Sequence, residues 1–350
     1  MRLFTQHSVH NKEIREQMMK LLKQTTLIAI FSLLSAGQVQ AETILKVASV
    51  APSSSPWGKW MQAAADKIDQ TSNGELKLNL ILDGQAGDEQ TIVRQTIKGR
   101  MDIALVSNVP LSLVAPEMAI PSAAYLFDSV EQGSCVAHQH LADTLGHLMM
   151  DSGLYPLTWM EVGHYSLFAK EAITEPADLN GKKVRIAITP ADSAFAETLG
   201  FSGVPLGAES IPALQTGNVD AAAFPTVYGI AIGAHKIAPY ITVTNHSRLI
   251  GSIAISKRSW DKLSAPHQTI LEDTFKAMGP DLTKTILGAE QALLAQLEAA
   301  GLPVQRLSAE QMQVWRAASA GTLENLLLRT GGKSADISKA IAAAKLACGS

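Results

Sequence analysis

The sequence predicts an α/β protein with two lobes, each built on an open sheet. Strand-like and helix-like segments alternate over residues 45–106 and again over residues 183–224. Such alternation is typical of open sheets that are covered by helices. Roughly the last hundred residues are instead helical in pattern and rich in Ala and Leu, which is typical of packing helices.

Each strand of the first unit is predicted from a local sequence pattern. The apolar residues 45–50 predict a strand, and Ser55-Pro56 after it is a typical helix start. Alternating leucines predict a half-buried strand at 76–82, and a third strand is predicted at 102–106. Because ligands bind beyond the carboxyl ends of strands in open sheets, we expect a binding site in the loops that follow these strands.

The second unit and the C-terminal region are interpreted in the same way. Thr189-Pro190 favours a helix start directly after a strand. A long helix is predicted from Pro266, with a kink or split at Gly279-Pro280 because proline removes a backbone donor. The remaining predicted strands are 183–188, 203–206, 220–224, 241–244 and 250–256, the last two returning between the lobes.

The N-terminus is interpreted as an export signal. An apolar run at residues 27–36 follows a basic flank, and the small residues at 39–41 suit signal peptidase. The run is too short to span a bilayer, which takes about 20 residues. We predict cleavage after Ala41 and a periplasmic mature chain; initiation at Met18 or Met19 and a buried core helix are the alternatives.

Composition and motifs argue against several classes of protein. With 47% hydrophobic and 17% charged residues, the chain is predicted to be neither disordered nor fibrous. Its formal net charge of −3 does not provide the basic face that nucleic acid binding needs. The sequence contains no phosphate-binding glycine loop, no serine-nucleophile motif and no zinc-protease motif. We therefore predict no enzyme activity, no cofactor and no nucleic acid partner.

The cysteines and histidines do not predict a metal site. Cys135 and Cys348 are the only cysteines, which is too few for structural zinc. In an exported protein they can form one disulfide or remain independent thiols, and both alternatives stay open. His138, His140 and His147 have spacings that do not suit a compact metal site, so we interpret them as solvated side chains.

Arg185 is the most informative single residue. It lies inside Lys183 to Ile188, a strand that is predicted to be largely buried, and an unpaired buried charge costs several kcal/mol. Its partner is either an internal carboxylate or a ligand carboxylate bound by the planar guanidinium. The adjacent Thr189-Pro190 helix start favours the ligand, because free backbone amides there attract anions.

Several segments together resemble the extracytoplasmic solute-binding subunits of tripartite ATP-independent periplasmic (TRAP) transporters, the dicarboxylate-binding-protein family. The likeness covers roughly residues 44–330, in consistent order and spacing. The segments are Gln85-Ala86-Gly87-Asp88, Gly99 with Asp102, Pro116-Glu117 with Leu126-Phe127, Asp178 to Arg185, Ala213 to Asp220, Thr244-Asn245-His246, Ile255-Ser256-Lys257, and Trp260 to Leu263.

The resemblance implies a periplasmic-binding-protein fold with open mixed sheets and a long helix that bridges both lobes. We place residues 42–163 plus about 251–280 in lobe 1, and residues 164–250 plus about 281–345 in lobe 2. The resemblance also implies that the lobes close around a small organic acid and deliver it to a pair of membrane permease subunits. The mature chain is expected to be a monomer that does not insert into the membrane.

The resemblance also assigns site residues. The family arginine that pairs with the ligand carboxylate corresponds to Arg185. Glu89 follows the Gln-x-Gly-Asp turn, Ser107 and Asn108 end the third strand, and Tyr165 lies twenty residues before the arginine.

Two departures from the family pattern change the expected ligand. Phe224 replaces an asparagine that commonly contacts ligand, and the first strand ends in Val50-Ala51 where a polar side chain is usual. With Tyr165, Phe224 and Tyr228 around the arginine, we predict a monocarboxylate with an apolar or aromatic body, unless these rings only fill lobe packing. A ligand-sensing module for a receptor or kinase is the alternative function, followed by a periplasmic enzyme.

Overall fold

The computed structural model describes residues 42–349 together with Met19. The predicted signal peptide and its cleavage site therefore lie outside the described residues, apart from Met19. Among the helices of the described part, none combines the length and the apolar character that a membrane crossing requires.

Ten strands form one continuous mixed sheet within residues 42–349. The first three and the fifth to seventh belong to the two predicted α/β units. The strands are β1 (Thr43–Ala48), β2 (Leu76–Ile81), β3 (Ile103–Ser107), β4 (Leu154–Ala169), β5 (Lys183–Ile186), β6 (Ser202–Pro205), β7 (Ala221–Pro225), β8 (Tyr240–Val243), β9 (Arg248–Ser256) and β10 (Val304–Arg306).

Helices cover this sheet and complete the C-terminal region. In the described part they are α1 (Pro56–Thr71), α2 (Glu89–Ile97), α3 (Asn108–Leu111), α4 (Val130–Cys135), α5 (Ala142–Asp151), α6 (Pro190–Leu199), α7 (Ser210–Thr216), α8 (Thr226–Ala231), α9 (Lys257–Trp260), α10 (Ala265–Ala299), α11 (Ala309–Ala318), α12 (Thr322–Thr330) and α13 (Ser334–Cys348), with short 3₁₀ or π turns at Pro116–Ser122, Val136–His140, Pro176–Leu179 and Ala234–Lys236.

The sheet has two halves that share β4. One half has the order β2-β1-β3-β9-β4, and the other continues as β4-β7-β5-β6, with β8 beside β4 and β10 beside β8. The first part of β4 pairs with β9 as far as His164, and from Tyr165 onward it pairs with β7 and β8. This change of partner follows a register shift between Glu161 and Gly163. The two-lobed α/β fold predicted from the sequence is confirmed, and β4 is the strand that connects its halves.

The strand β4 was not predicted, because its sequence has no simple alternation of apolar and polar residues. Pro156 and Gly163 interrupt the strand, and its second half is buried on both faces, so apolar and polar residues do not alternate. Glu161 lies inside the strand and is buried, where it pairs with Arg248 of β9. A buried ion pair thus joins β4 to β9, its neighbour in the half of the sheet that contains β1, β2 and β3.

The long helix α10 runs across β4 and packs against α1. It begins after Ser264, whose hydroxyl accepts a hydrogen bond from the amide of His267, and it continues through Pro280 to Ala299. Of the two predicted alternatives at Gly279-Pro280, a kink or a split, the split is therefore wrong. Gly279 allows the helix to approach β4 closely, because a Cβ there would lie 2.6 Å from the Oγ1 atom of Thr158.

Cys135 and Cys348 form a disulfide, so the alternative of two independent thiols, which the sequence left open, is excluded. It ties the C-terminal helix α13 to α4, and the Nε2 atom of Gln132 donates a hydrogen bond to the Gly349 carbonyl beside it at 2.7 Å. Lys345 also donates to the Leu126 carbonyl at 2.8 Å. The C-terminus is thus attached to the part of the chain around residues 126–135.

Removal of this disulfide should lower the free energy of unfolding. The bridge joins residues 213 positions apart, and a cross-link over so long a loop strongly reduces the entropy of the unfolded chain. The double variant Cys135→Ser, Cys348→Ser should lose about 2–5 kcal/mol, measured by urea unfolding. A reductant should lower the stability of the oxidised wild type and leave the double variant unchanged; equal stability of both proteins without reductant would contradict the prediction.

Candidate functional site

A cavity of about 520 Å³ lies where several strands of both halves end. Its wall includes Ser107 at the end of β3, Ala187 and Ile188 directly after β5, and Phe224 near the end of β7. The carboxyl ends of β3, β5 and β7 therefore contribute to one space. The cavity lies where the open-sheet pattern predicted a ligand site.

Arg185 lies in this wall with its guanidinium fixed by neutral groups. Its Nε atom donates to the hydroxyl of Ser210 at 2.9 Å and to the carbonyl of Leu206 at 3.2 Å. Its Nη1 atom donates to the carbonyl of Ala223 at 2.6 Å. The guanidinium carbon lies 4.3 Å from the ring centroid of Phe224, in a cation–π contact. Nη2 takes part in none of these hydrogen bonds.

The charge of Arg185 has no direct ionic partner in the described part of the chain. None of the ion pairs there includes it, although only 8% of the residue is exposed. Burial lowers the pKa of Arg185, and electrostatic interactions with Tyr165, Asp192 and other nearby groups oppose that effect. The guanidinium is therefore a buried cation whose neighbours compensate it only in part.

Asp192 is the buried acid closest in sequence to Arg185. It lies in the first turn of α6, where its Oδ1 atom accepts a hydrogen bond from the amide of Ala187 at 3.4 Å, and its carboxyl also interacts with the Tyr165 hydroxyl. Burial raises the pKa of Asp192 to about 7, although the charge of Arg185 opposes this rise. Its carboxyl group thus changes charge near neutral pH. Asp192 was not predicted from the sequence, because acidic residues in the first turn of a helix are common.

Glu89 lines another part of the cavity, at the start of α2. Its Oε1 atom accepts a hydrogen bond from the amide of Ser107, and its Oε2 atom accepts one from the hydroxyl of Ser107, both at 2.7 Å. Burial raises the pKa of Glu89, whereas the two hydrogen bonds and the charge of Arg185 lower it. The carboxylate is thereby held in place by the end of β3.

The aromatic side chains near Arg185 form two groups of contacting rings. Phe224 contacts Tyr228 edge to face, with ring centroids 6.2 Å apart. Tyr165 stacks on His246 at 5.3 Å, and His246 stacks on Phe195 at 4.4 Å. Burial lowers the pKa of His246 to about 3, so this ring is neutral at physiological pH. The ring of Tyr165 therefore stacks on an uncharged His246, which in turn stacks on Phe195.

The structure brings six of the seven predicted site residues to the cavity. Asn108 is the exception, because its side-chain amide donates to the Met118 carbonyl at 2.9 Å and to the Ser122 hydroxyl at 2.7 Å inside the lobe. Ser107 lines the cavity, but its hydroxyl already donates to Glu89. The six cavity residues are Glu89, Ser107, Tyr165, Arg185, Phe224 and Tyr228.

The sequence did not predict which apolar residues line the cavity. Apolar side chains at strand ends and in loops carry no sequence feature that separates a cavity wall from ordinary core. Neither their identity nor their order in the chain indicated a shared surface. The apolar residues that line the cavity besides the aromatic ones are Val50, Pro52, Val109, Val162, Ala187, Ile188, Leu206, Ala208, Ile211, Pro225, Ile232 and Leu249.

The fold and the cavity define the chain as a two-lobed solute-binding protein, and sequence comparison gives the family. Residues 47–329 match the family described as bacterial extracellular solute-binding protein, family 7. The chain belongs to this family and is an extracytoplasmic solute-binding protein of the TRAP type, as the resemblance implied.

Individual proteins resemble the chain in sequence or in fold. The chain is 25% identical over 295 residues to the sialic acid-binding periplasmic protein SiaP of Vibrio cholerae, covering 82% of this chain and 89% of SiaP. It superposes with a TM-score of 0.82 on the sugar acid binding protein DctPAm of Advenella mimigardefordensis, solved with galactonate, at 22% identity and covering 87% and 99% of the two chains. A TRAP periplasmic solute-binding protein of Desulfovibrio salexigens, solved with orotic acid, has a TM-score of 0.82 at 17% identity, covering 88% and 100%.

Replacement of Asp192 should change how stability depends on pH. Because the pKa of Asp192 in the folded state is raised to about 7, its ionisation destabilises the folded protein as pH rises from about 4 to about 7. Asp192→Asn should remove that loss, so its stability relative to wild type should increase over this range, by up to about 4 kcal/mol.

Urea unfolding between pH 4 and pH 8 measures this difference. The control is Asp66→Asn, at an exposed position of α1, which should leave the pH profile unchanged. Parallel profiles for wild type and Asp192→Asn would show that the carboxyl is not held in an environment that opposes its charge.

Proposed function

We propose that this protein captures a small organic acid in the periplasm and delivers it to the permease subunits of a TRAP transporter. One carboxylate of the ligand docks on Arg185, and an apolar or aromatic body rests against Tyr165 and Phe224. The observation that carries the proposal is a guanidinium in the wall of a 520 Å³ cavity without an ion-pair partner in the described part of the chain.

Arg248, the other arginine that is buried in the described part of the chain, differs from Arg185 because it has an ionic partner. Arg248 is 5% exposed and is paired with the Glu161 carboxylate, which places a neutralised ion pair inside the protein. Arg185 is buried to a similar degree, yet it is held by two carbonyls and a hydroxyl. A buried cation held only by neutral acceptors is stabilised further by an external carboxylate, which supplies the missing charge and accepts hydrogen bonds.

The cavity wall favours an acid with an apolar body. Apart from Arg185 and a few polar groups, the wall is formed by aliphatic and aromatic side chains. A ligand whose body is apolar loses little hydration there, and burial of its apolar surface contributes to binding. The Desulfovibrio salexigens protein, which is solved with orotic acid, is a neighbour that holds a ring bearing one carboxylate.

Transport follows from closure of the lobes around the ligand. We place the boundary between lobes where β4 changes partner, between His164 and Tyr165. The sequence-based bounds placed residues up to about 345 in lobe 2, but we assign the disulfide-linked helix α13 to the first lobe, because Cys348 is bonded to Cys135. Arg185 and Glu89 then belong to different lobes, so a ligand that touches both stabilises the closed form. The permease would recognise that form, and the signal peptide would be removed after Ala41 on export.

Replacement of Arg185 should abolish most of the binding. Arg185→Ala should cost about 2–5 kcal/mol of affinity, because it removes one partner of a buried charge pair. Arg185→Lys should recover only part of this loss, since the ammonium lacks the planar fork. A thermal-shift screen of mono- and dicarboxylates against the wild type identifies the ligand, and calorimetry then measures each variant.

The control is Arg94→Ala, which removes an exposed arginine of α2 and should bind like wild type. Unchanged affinity of Arg185→Ala would contradict the proposal. Chemical conversion of the bound acid during incubation would also contradict it, because a transport protein releases its ligand unaltered.

A further inference from the structure

Charge is distributed unevenly over the cavity wall. Of the described residues that line it, Arg185 is the one Lys or Arg, whereas three are acids: Asp83, Asp88 and Glu89. Asp83 is exposed and accepts a hydrogen bond from the Ser53 amide, and Asp88 caps α2 by accepting one from the Thr91 amide. The cavity wall therefore carries one cationic side chain and three acidic ones.

Glu89 is the acid of this group that is fixed at a strand end. The Ser107 amide and hydroxyl donate to its two oxygens, and the Ser107 hydroxyl itself accepts a longer hydrogen bond, 3.3 Å, from the Val109 amide. The two hydrogen bonds from Ser107 favour the ionised form of Glu89 and lower its pKa, whereas burial favours the neutral form and raises it.

The surroundings of Glu89 strengthen any electrostatic interaction with a ligand. Glu89 also lines a smaller cavity of about 40 Å³ next to the main one, whose wall includes Trp57, Met160, Val162 and Tyr228. These walls are mainly apolar, and charges interact more strongly where water is excluded. The charge of a second ligand group that reaches Glu89 therefore has a large effect on the binding free energy.

We propose that Glu89 determines specificity at the end of the ligand remote from Arg185, selecting a hydrogen-bond donor there and rejecting a second carboxylate. This inference rests on the proposed function, in which the first carboxylate docks on Arg185. The donor is a hydroxyl or an ammonium group, both of which an ionised carboxylate accepts in a charge-assisted hydrogen bond. A second carboxylate would instead lie beside Glu89 without a cation of its own.

Four five-carbon probes separate these cases, because they differ only at the remote end: pentanoate, 5-hydroxypentanoate, 5-aminopentanoate and glutarate. Calorimetry with the wild type should show tighter binding of the hydroxyl or the ammonium probe than of pentanoate. Glutarate should bind most weakly, by roughly tenfold to a hundredfold, because juxtaposed like charges oppose binding. The relative affinities of the hydroxyl and ammonium probes identify which donor is preferred.

Glu89→Gln tests the role of the charge. It keeps the size of the side chain and should raise glutarate affinity at least tenfold relative to pentanoate, while the preference for the ammonium probe should fall. Asp66→Asn, which removes an exposed acid of α1, is the matched control and should leave every ratio unchanged. Circular dichroism and thermal unfolding of Glu89→Gln exclude misfolding as the cause of a change.

The outcomes distinguish this inference from the proposed function. Equal or tighter binding of glutarate by the wild type, or unchanged ratios in Glu89→Gln, would overturn the role of Glu89 while Arg185→Ala still abolishes pentanoate binding. Loss of selectivity in Asp66→Asn as well would attribute the effect to overall charge and would also overturn it. Failure of the wild type to bind any of the four probes would count against the proposed function itself.

Discussion

A single buried cation held by neutral acceptors is the constraint on which the site depends. The guanidinium of Arg185 is oriented by the carbonyls of Leu206 and Ala223 and the hydroxyl of Ser210, and it faces a cavity without an ion-pair partner in the described part of the chain. These contacts fix geometry, but they do not neutralise the charge, and a buried charge without a counter-ion is costly. We propose that a carboxylate from a ligand supplies this missing counter-charge.

The fold makes this balance possible because two sheet halves end at the same space. Parallel strands direct their carboxyl ends to one edge, and β4 continues from one half into the other, so side chains from both halves line one cavity. The ion pair of Arg248 with Glu161 lies where β4 and β9 run together, and α10 covers the same region. The connection between the halves is therefore well packed, while the cavity beside it stays open to a ligand.

The sequence predicts much of this arrangement where a local pattern has one physical cause. A charged residue inside the apolar strand Lys183 to Ile188 indicated a special role for Arg185, and the alternating segments indicated the strands and helices of each unit. The strand β4 escaped prediction because Pro156 and Gly163 interrupt it and burial on both faces removes alternation. Asp192 resembled an ordinary helix-start acid, and Asn108 looked like a strand-end ligand although its amide is used within the lobe. Tertiary contacts decide such cases, and no local pattern records them.

The most direct test of the account is a crystal structure of the protein with its tightest-binding monocarboxylate. The account predicts both carboxylate oxygens within hydrogen-bond distance of the Arg185 guanidinium, which keeps its bonds to Ala223 and Ser210, and the body of the ligand against Tyr165 and Phe224. A complex in which Arg185 instead pairs directly with Asp192 or Glu89, with the ligand carboxylate bound elsewhere, would contradict the central claim.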